Sequence, residues 1–592
     1  MLSIITAWIF IILPCMSVGL YVTHLCNLKL FFDHEELIVV ALWTGIVILA
    51  ISLLGTSLFV SVSPQVGLVY FFLYTIAPIT SSRFRAEIKM FKSKPTLASC
   101  LAVALIVLMC AALTSIPITW HDTKLYHYQL IKWLSNYGSV PGLGLIHDRF
   151  GFVSSWFALS ALFDAGVFEA RLAPLLGGLS LLLAFIRLFL VLRRIFSNRA
   201  RSYDTFVAAC LSVVLFWAIT GDRIAVSPSP DLPTALITVE VCLIIMVLID
   251  RKGYAIDLNI VNSRLIPLIL SAGAFAIKLS AAPLLAVTVI FYLQPLGLRS
   301  KPVILCMALC VIFFLPLMAA SFTTTGCFIY PVKATCVDNL SWGVGSRNAE
   351  QMSLVIRDYA RYGLESERPW PWLLNWMVDK HTSSLKTDAL LLLLSLMSVI
   401  FLLAREHFKD GYEWVIAIGV LGVAFVMWSA PSYRFGVGYF CILPSVVIAR
   451  ETLLTSPLIS IVPLSMTLLT PYIDLEHRRL RLVLLAISVS VYLMHLRKSL
   501  GDLALKATLC LACLMLLSGL FCVQPSLLVP PRIAAPPNVK YVPIQGDSSE
   551  TVGISSEPCG SARIPCTPGL AAPNVLLRNA KVGIEAGFTR KP

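Results

Sequence analysis

In the stretch WHDTKLYHYQLIKWL, Trp120–Leu134, four polar residues stand together directly after an almost uncharged apolar run, Leu97–Ile118. Asp122 is the only strong acid there, with His121, Lys124 and His127 beside it. A carboxylate held where an apolar helix leaves lipid can take a proton from the hydroxyl of an arriving substrate. Asp is also a favoured N-cap, so the same side chain can do no more than close the first turn of the next helix. Position alone leaves both roles open. Two histidines and an aspartate could bind a metal, but this spacing sets His121 and His127 on different helix faces, which disfavours a shared ion. A second polar group, GLIHDRFGF at Gly144–Phe152, offers His147, Asp148 and Arg149. The Asp148–Arg149 pair suits anchoring of the loop better than orienting a phosphate or sugar.

Two cations stand out further along. Lys278 interrupts an apolar run in AIKLSAAP, and a lysine there needs an anion or a water-filled cavity. Its partner is either a lipid phosphate or a structural carboxylate or carbonyl. Arg434 sits in APSYRFGVGY between Tyr433 and Phe435. Its guanidinium can fork around phosphate oxygens or merely snorkel to the interface. Arg223 and Asp231 in GDRIAVSPSPD read as ordinary polar lining. The Trp and Pro cluster Pro369–Trp376 reads as an interfacial aromatic belt rather than a platform for sugar rings.

The elements that must position these residues follow from composition. Of 592 residues, 58% are hydrophobic and only 13% are charged, so most of the chain is dissolved in lipid. The net charge of +14 then reflects cytoplasmic Lys and Arg, not a nucleic-acid partner. Leu2–Leu20 lacks a basic leading region and a cleavage motif and reads as a true span. The basic loops Ser81–Lys94, Arg193–Arg201 and Asp250–Arg264 fix the cytoplasmic side. Between the first two, Trp120–Glu169 is expected to be one large external loop. It holds an amphipathic helix from Asp122 to about Tyr137, with Asp122, Tyr126 and Gln129 on one face, and a short dipping helix within Phe150–Phe163. Leu265–Leu298 is expected to fold as two short helices meeting near the outer surface at Lys278.

A second external loop covers residues 322–385. Further spans are expected near Leu390–Leu403, Trp414–Trp428, Gly436–Ile448, Pro457–Thr470, Leu482–Leu496 and Ala507–Cys522. The fold class is an all-α polytopic integral membrane protein of roughly 13–16 transmembrane helices, with both termini outside. Its divisions are 1–96 (N-terminal helices), 97–448 (core), 449–522 (C-terminal helices) and 523–592, a Pro-, Gly- and Ser-rich external tail. Sixteen cysteines are present. The short spacings of Cys327 with Cys336 and of Cys559 with Cys566, in segments placed outside, permit two local disulfides. No internal repeat is evident, which weighs against a secondary transporter.

The stretches DTKLYHYQLIKWLSNYGSVPGLGLIHDRFGFVSSWF, RLAPLLGGLSLLLAFIRLFLVLRRIF (Arg171–Phe196), TGCFIYPVKATC, PSYRFGVGY and the tail's PCTPGLAAPN carry a resemblance. Over Leu97–Ile448 the chain resembles the GT-C class of membrane glycosyltransferases, in particular the dolichol-phosphate-mannose mannosyltransferase-like branch. More closely, tail included, it is similar to a family of bacterial polytopic proteins related to that branch. The resemblance implies an enzyme of the bacterial inner membrane, with its active face extracytoplasmic, that moves a sugar from a polyprenyl-phosphate-linked donor. The acceptor would be an envelope glycan, lipid or protein. It makes Asp122 the catalytic base and Lys278 and Arg434 the holders of the donor phosphate; Tyr126, His127, His147, Asp148 and Arg149 of the first outer loop are expected to line the site. Many members carry two adjacent acids at the loop entrance; here His121 precedes Asp122, which weakens a metal role. No cofactor is implied, although a divalent metal stays open. Partners are the lipid-linked sugar, the acceptor and membrane lipids. The rival functions are a transporter or flippase of a lipid-linked or amphipathic solute, and a non-catalytic protein of envelope assembly.

Overall fold

The computed structural model describes residues 1–81, 96–197, 199–220, 223–250, 259–297, 299–361, 383–404, 412–454, 526–544, 550–569 and 574–591. The expected spans between 457 and 522, the basic run 82–95 and the Trp and Pro cluster lie outside the described residues. The chain is a polytopic helical membrane protein. Among the described residues, seven helices are long and apolar enough to cross a bilayer: α1 (Leu2–Leu25), α2 (His34–Thr56), α4 (Leu97–Thr114), α7 (Leu175–Phe196), α8 (Ser202–Thr220), α9 (Asp231–Asp250) and α12 (Ser300–Thr325). Shorter apolar helices fill in between: α3 (Pro64–Thr80), α10 (Leu265–Ile277), α11 (Ala282–Leu293), α14 (Ser383–Ala404) and α15 (Glu413–Ser429), and a more polar helix, α13 (Ser346–Ala360), follows α12. Backbone polar groups cannot be left open in lipid, so an apolar run of this length is helical.

The expected break at Lys278 is present: α10 ends at Ile277, Lys278 is extended (φ −154°, ψ 129°), and a short 3-10 turn leads into α11. The expected single span Gly436–Ile448 is instead two pieces, α16 (Tyr433–Phe440) and α17 (Ile442–Leu454), with a non-helical kink at Gly436. α12 runs on to Thr325, past the start of the external loop expected from residue 322.

The bundle has two distinct ends. At one, Arg193 pairs with Glu35, and Arg194 pairs with Glu36 (2.6 Å) and Asp204. The other end gathers the N-terminus, the loop 120–169 and the tail. In the loop, a π-helical turn (Thr123–His127) runs into α5 (Tyr128–Tyr137), and α6 (Ser155–Ala161) is a fully buried short helix. Asp164 fastens the loop from within: the Tyr128 hydroxyl donates to both its oxygens at 3.1 Å and the Ala170 amide at 2.8 Å.

The tail forms a three-stranded sheet of β1 (Lys540–Pro543), β2 (Thr551–Ser555) and β3 (Cys566–Pro568), with β1–β2 antiparallel and β2–β3 parallel. A two-stranded antiparallel sheet of β4 (Val575–Leu577) and β5 (Phe588–Arg590) completes it. Cys559–Cys566 and Cys327–Cys336 are both disulfide-bonded. The tail is laced onto the loops by backbone hydrogen bonds: Ile533 to Ala170 (2.8 Å), Gly560 to Lys124 (2.8 Å), Phe588 to Pro141 (2.9 Å) and Arg590 to Ser341 (2.8 Å), each amide donating to a carbonyl. The Leu2 amide donates in turn to the Leu527 carbonyl at 3.0 Å.

Candidate functional site

Four segments converge at the looped end. Asp122 enters from the foot of the π turn, Asp231 from the start of α9, Lys278 from the α10–α11 break and Arg434 from the first turn of α16. Arg434 bridges the two acids. Its Nη2 pairs with Asp122, 312 residues away in sequence, and its Nε donates to Asp231 Oδ2 at 3.0 Å. Lys278 Nζ pairs with the other oxygen of Asp231. Two buried acids and two half-buried bases thus balance in one cluster. The cations are also seated on rings: the Arg434 guanidinium lies 4.6 Å from the Trp120 ring centre and 5.2 Å from Phe435, and Lys278 Nζ lies 4.5 Å from Phe435. Such contacts attract a cation to the ring face.

The local sequence explains the approach. A Cβ on Gly438 would stand 2.9 Å from Ala235 Cα, so only glycine lets the Arg434 segment lie against the first turns of α9. The Tyr439 hydroxyl donates to the Ser280 carbonyl (2.9 Å), and the Ser154 hydroxyl donates to the Ile277 carbonyl (2.8 Å). Those two bonds satisfy carbonyls freed where the helix breaks around Lys278. Beside the cluster lies a narrow crevice lined by Asp231, Thr234, Thr238, Lys278, Ser280 and Arg434. Several buried polar atoms here have no partner: Ser280 Oγ, Trp120 Nε1, Thr123 Oγ1 and both ring nitrogens of His127. Buried polar groups are almost always bonded, so unpaired ones mark a place for a ligand or solvent.

Each of these residues has a definite neighbour in the structure. The Asp122 carboxylate does not cap its helix; it is committed to Arg434. Burial would raise its pKa, but the Arg434 charge, with help from His127 and Arg149, overrides this and holds it below the usual carboxylate value. Lys278 has a structural carboxylate, Asp231, as its partner. Arg434 does not snorkel but is held between two acids. Asp231, expected to be ordinary lining, is the hub that joins both cations. Nothing in the order of residues marks it, because its partners lie 47 and 203 positions away.

The expected grouping of Asp122, Tyr126 and Gln129 on one face is overturned. The π turn inserts extra arc, so the face rotates before α5 begins. Gln129 turns to the tail, its Nε2 donating to the carbonyls of Gly560 (2.9 Å) and Ala562 (3.2 Å). Tyr126 stays near the site, its ring 4.3 Å from that of His127 and 5.9 Å from Phe152, under the Arg149 guanidinium (5.7 Å). His147 accepts from the Arg149 amide at 3.3 Å. Burial, then the Arg149 charge, lowers its pKa to about 4. Asp148 is exposed and outside the cluster. His121 is exposed while His127 is buried; among the described residues no three metal-ligating side chains gather. Arg223 adopts a left-handed conformation (φ 57°) in the turn ahead of α9.

The family model described as Domain of unknown function (DUF8201) matches residues 1–441. The chain belongs to this family. All four charged residues of the cluster lie within the matched DUF8201 region, whereas the tail lies beyond it. No curated protein matches the chain. Two solved structures share 14% identity with it, each at a TM-score of 0.33. The arabinosyltransferase EmbB from Mycobacterium smegmatis aligns over 78% of this chain and 44% of its own. ArnT from Cupriavidus metallidurans, solved bound to undecaprenyl phosphate, aligns over 72% of this chain and 76% of its own. The DUF8201 chain thus spans less than half the length of EmbB, and both superpositions are too loose to match residues.

Proposed function

We propose that this protein is a membrane glycosyltransferase that moves a sugar from a polyprenyl-phosphate-linked donor to an envelope acceptor, at the extracytoplasmic face of a bacterial inner membrane. The observation that carries the proposal is the meeting of Asp122, Lys278 and Arg434, far apart in sequence, in one charge cluster joined through Asp231 at the looped end of the bundle, with Lys278 and Arg434 also lining the adjacent crevice. The resemblance of the sequence to the dolichol-phosphate-mannose mannosyltransferase-like branch supports the same chemistry. Disulfides at the same looped end fit an oxidising compartment, and the Arg-rich opposite end fits the cytoplasm.

In the proposed reaction the donor phosphate takes the Arg434 fork and the Lys278 ammonium in exchange for their carboxylates. Arg434 then releases Asp122. The freed carboxylate removes the proton of the acceptor hydroxyl. The oxygen attacks the sugar C1 from the side opposite the phosphate, the C1–O bond breaks, and its electron pair leaves on the polyprenyl phosphate. Lys278 and Arg434 offset the charge that grows there. The step as written needs no cofactor.

A transporter requires a polar route through the bundle. Thr238 lines the crevice, but Glu240, two residues on, faces about 200° round the helix and is sealed in a pair with the buried Arg187 (Nε to Oε2 3.1 Å). The hydroxyls of Thr234 and Thr238 donate back to their own chain, to Pro230 and Thr234. A scaffold gives no reason for unpaired polar atoms beside a charge cluster.

The test uses purified protein in lipid nanodiscs with a panel of undecaprenyl-phosphate-linked monosaccharides and membrane extract as acceptor. Wild type transfers sugar. Asp122→Asn binds the lipid, stays folded and loses transfer by about 10²–10⁴-fold; full activity in Asp122→Asn contradicts the proposal.

A further inference from the structure

His127 is wholly buried, at 0% exposure, and neither ring nitrogen has a hydrogen-bond partner. It is held between the rings of Tyr126 (4.3 Å) and Phe157 (5.1 Å). The π turn decides its company. In an α-helix, residues five apart point about 140° away from each other; the wider π turn brings Asp122 and His127 toward one side. The charged groups that act on the imidazole come from all four converging segments: Asp122, Arg434, Asp231 and Lys278. Among the described residues, Tyr126 is the other titratable side chain in ring contact with it. At rest the cluster is neutral, since each cation is matched by a carboxylate, and Asp122 is held by Arg434.

We infer that His127 receives the acceptor proton from Asp122, and does so only once a bound phosphate has drawn Arg434 away. This rests on the glycosyl-transfer proposal above. The acceptor O–H proton passes to an Asp122 oxygen as the new C1–O bond forms and the old one breaks. The proton then moves to a free ring nitrogen of His127, leaving an imidazolium beside a regenerated carboxylate, and departs to water with the product. His127 touches no reacting atom and is a positioning residue for the proton. In the resting state burial first, and the two cations after it, keep the ring neutral down to a pKa of about 4, against the opposing pull of Asp122 and Asp231. A phosphate adds negative charge and frees that of Asp122. Both changes favour the imidazolium.

The experiment follows histidine side chains by NMR in protein carrying labelled imidazole, in nanodiscs, with His127→Gln identifying its signal among the nine histidines. The titration is run without ligand, with undecaprenyl phosphate, and with inorganic phosphate. The midpoint of His127 is expected to rise by about 1–3 pH units with undecaprenyl phosphate, and the rise is expected to be clearly smaller in Asp122→Asn although lipid still binds, because only the charge of the phosphate itself then acts on the ring. An equal rise with inorganic phosphate supports the inference and assigns recognition to the phosphate group alone; a rise with the lipid only assigns it to the membrane-held headgroup. Undecaprenyl phosphate that binds in an Arg434-dependent way without moving His127 overturns the inference and leaves glycosyl transfer standing. No binding of either phosphate overturns both.

Discussion

At the scale of single residues, Arg434 holds the site together with a geometry that only a guanidinium offers. Nε reaches Asp231 while Nη2 reaches Asp122, and a planar fork presents separate nitrogens to two acids, whereas an ammonium must bring its single nitrogen within reach of both. Arg434→Lys is therefore expected to keep the charge yet lose one of the two bonds. The cost is about 1.5–3 kcal/mol, read as a lower melting temperature in detergent, together with weaker undecaprenyl phosphate binding. An unchanged melting temperature and affinity would show that the bridge is not needed. Asp122, Lys278 and Arg434 stand out in the sequence because charge in an apolar setting is costly and therefore conspicuous. Asp231 does not, since an acid at a helix start has an ordinary explanation in capping. Its role depends on partners that only the fold brings near.

At the scale of elements, the amphipathic segment after Asp122 and the hairpin around Lys278 follow from hydropathy and charge. The π turn does not, because an inserted residue leaves no periodic trace over five positions. That insertion is what sends Gln129 to the tail and His127 to the site. Gln129→Leu removes both bonds to the disulfide-closed loop Cys559–Cys566, leaving the Gly560 and Ala562 carbonyls to find other donors. The expected loss is about 1–3 kcal/mol, seen as faster proteolysis of the tail while the bundle stays intact; an equally resistant tail would contradict the clamp.

The same loop carries a pH sensitivity. Burial, opposed by the bonds from Ala170 and Tyr128, raises the Asp164 pKa to about 6. A folded value above the unfolded one means that the associated stability is fully present below about pH 4 and is lost as pH rises through about 6. A difference of about two units corresponds to roughly 3 kcal/mol. Wild type should thus lose melting temperature between pH 4 and 7 relative to Asp164→Asn, which cannot ionise. Parallel curves for the two proteins would mean that Asp164 does not titrate in this range.

At the scale of the whole molecule, alternating spans bring the N-terminus, both disulfides, the loop 120–169 and the charge cluster to one end, and Arg193, Arg194 and Arg201 to the other. That division is legible from basic loops alone, because orientation is set by where Lys and Arg collect. Docking of the tail onto the first loop is not, since it runs through backbone hydrogen bonds that any residue can make. A cysteine placed at exposed Lys581 should react with a membrane-impermeant maleimide in intact spheroplasts, whereas one at exposed Arg201 should react only after permeabilisation. The reverse pattern would put the crevice on the wrong side for an extracytoplasmic acceptor.

The most direct measurement is a cryo-EM map of the protein in nanodiscs with undecaprenyl phosphate. The phosphate is expected between Lys278 and Arg434, with the Arg434 guanidinium turned from Asp122 toward the headgroup. A headgroup bound elsewhere, or a lipid-loaded protein in which Arg434 still bridges Asp122 and Asp231, would contradict donor recognition by this cluster.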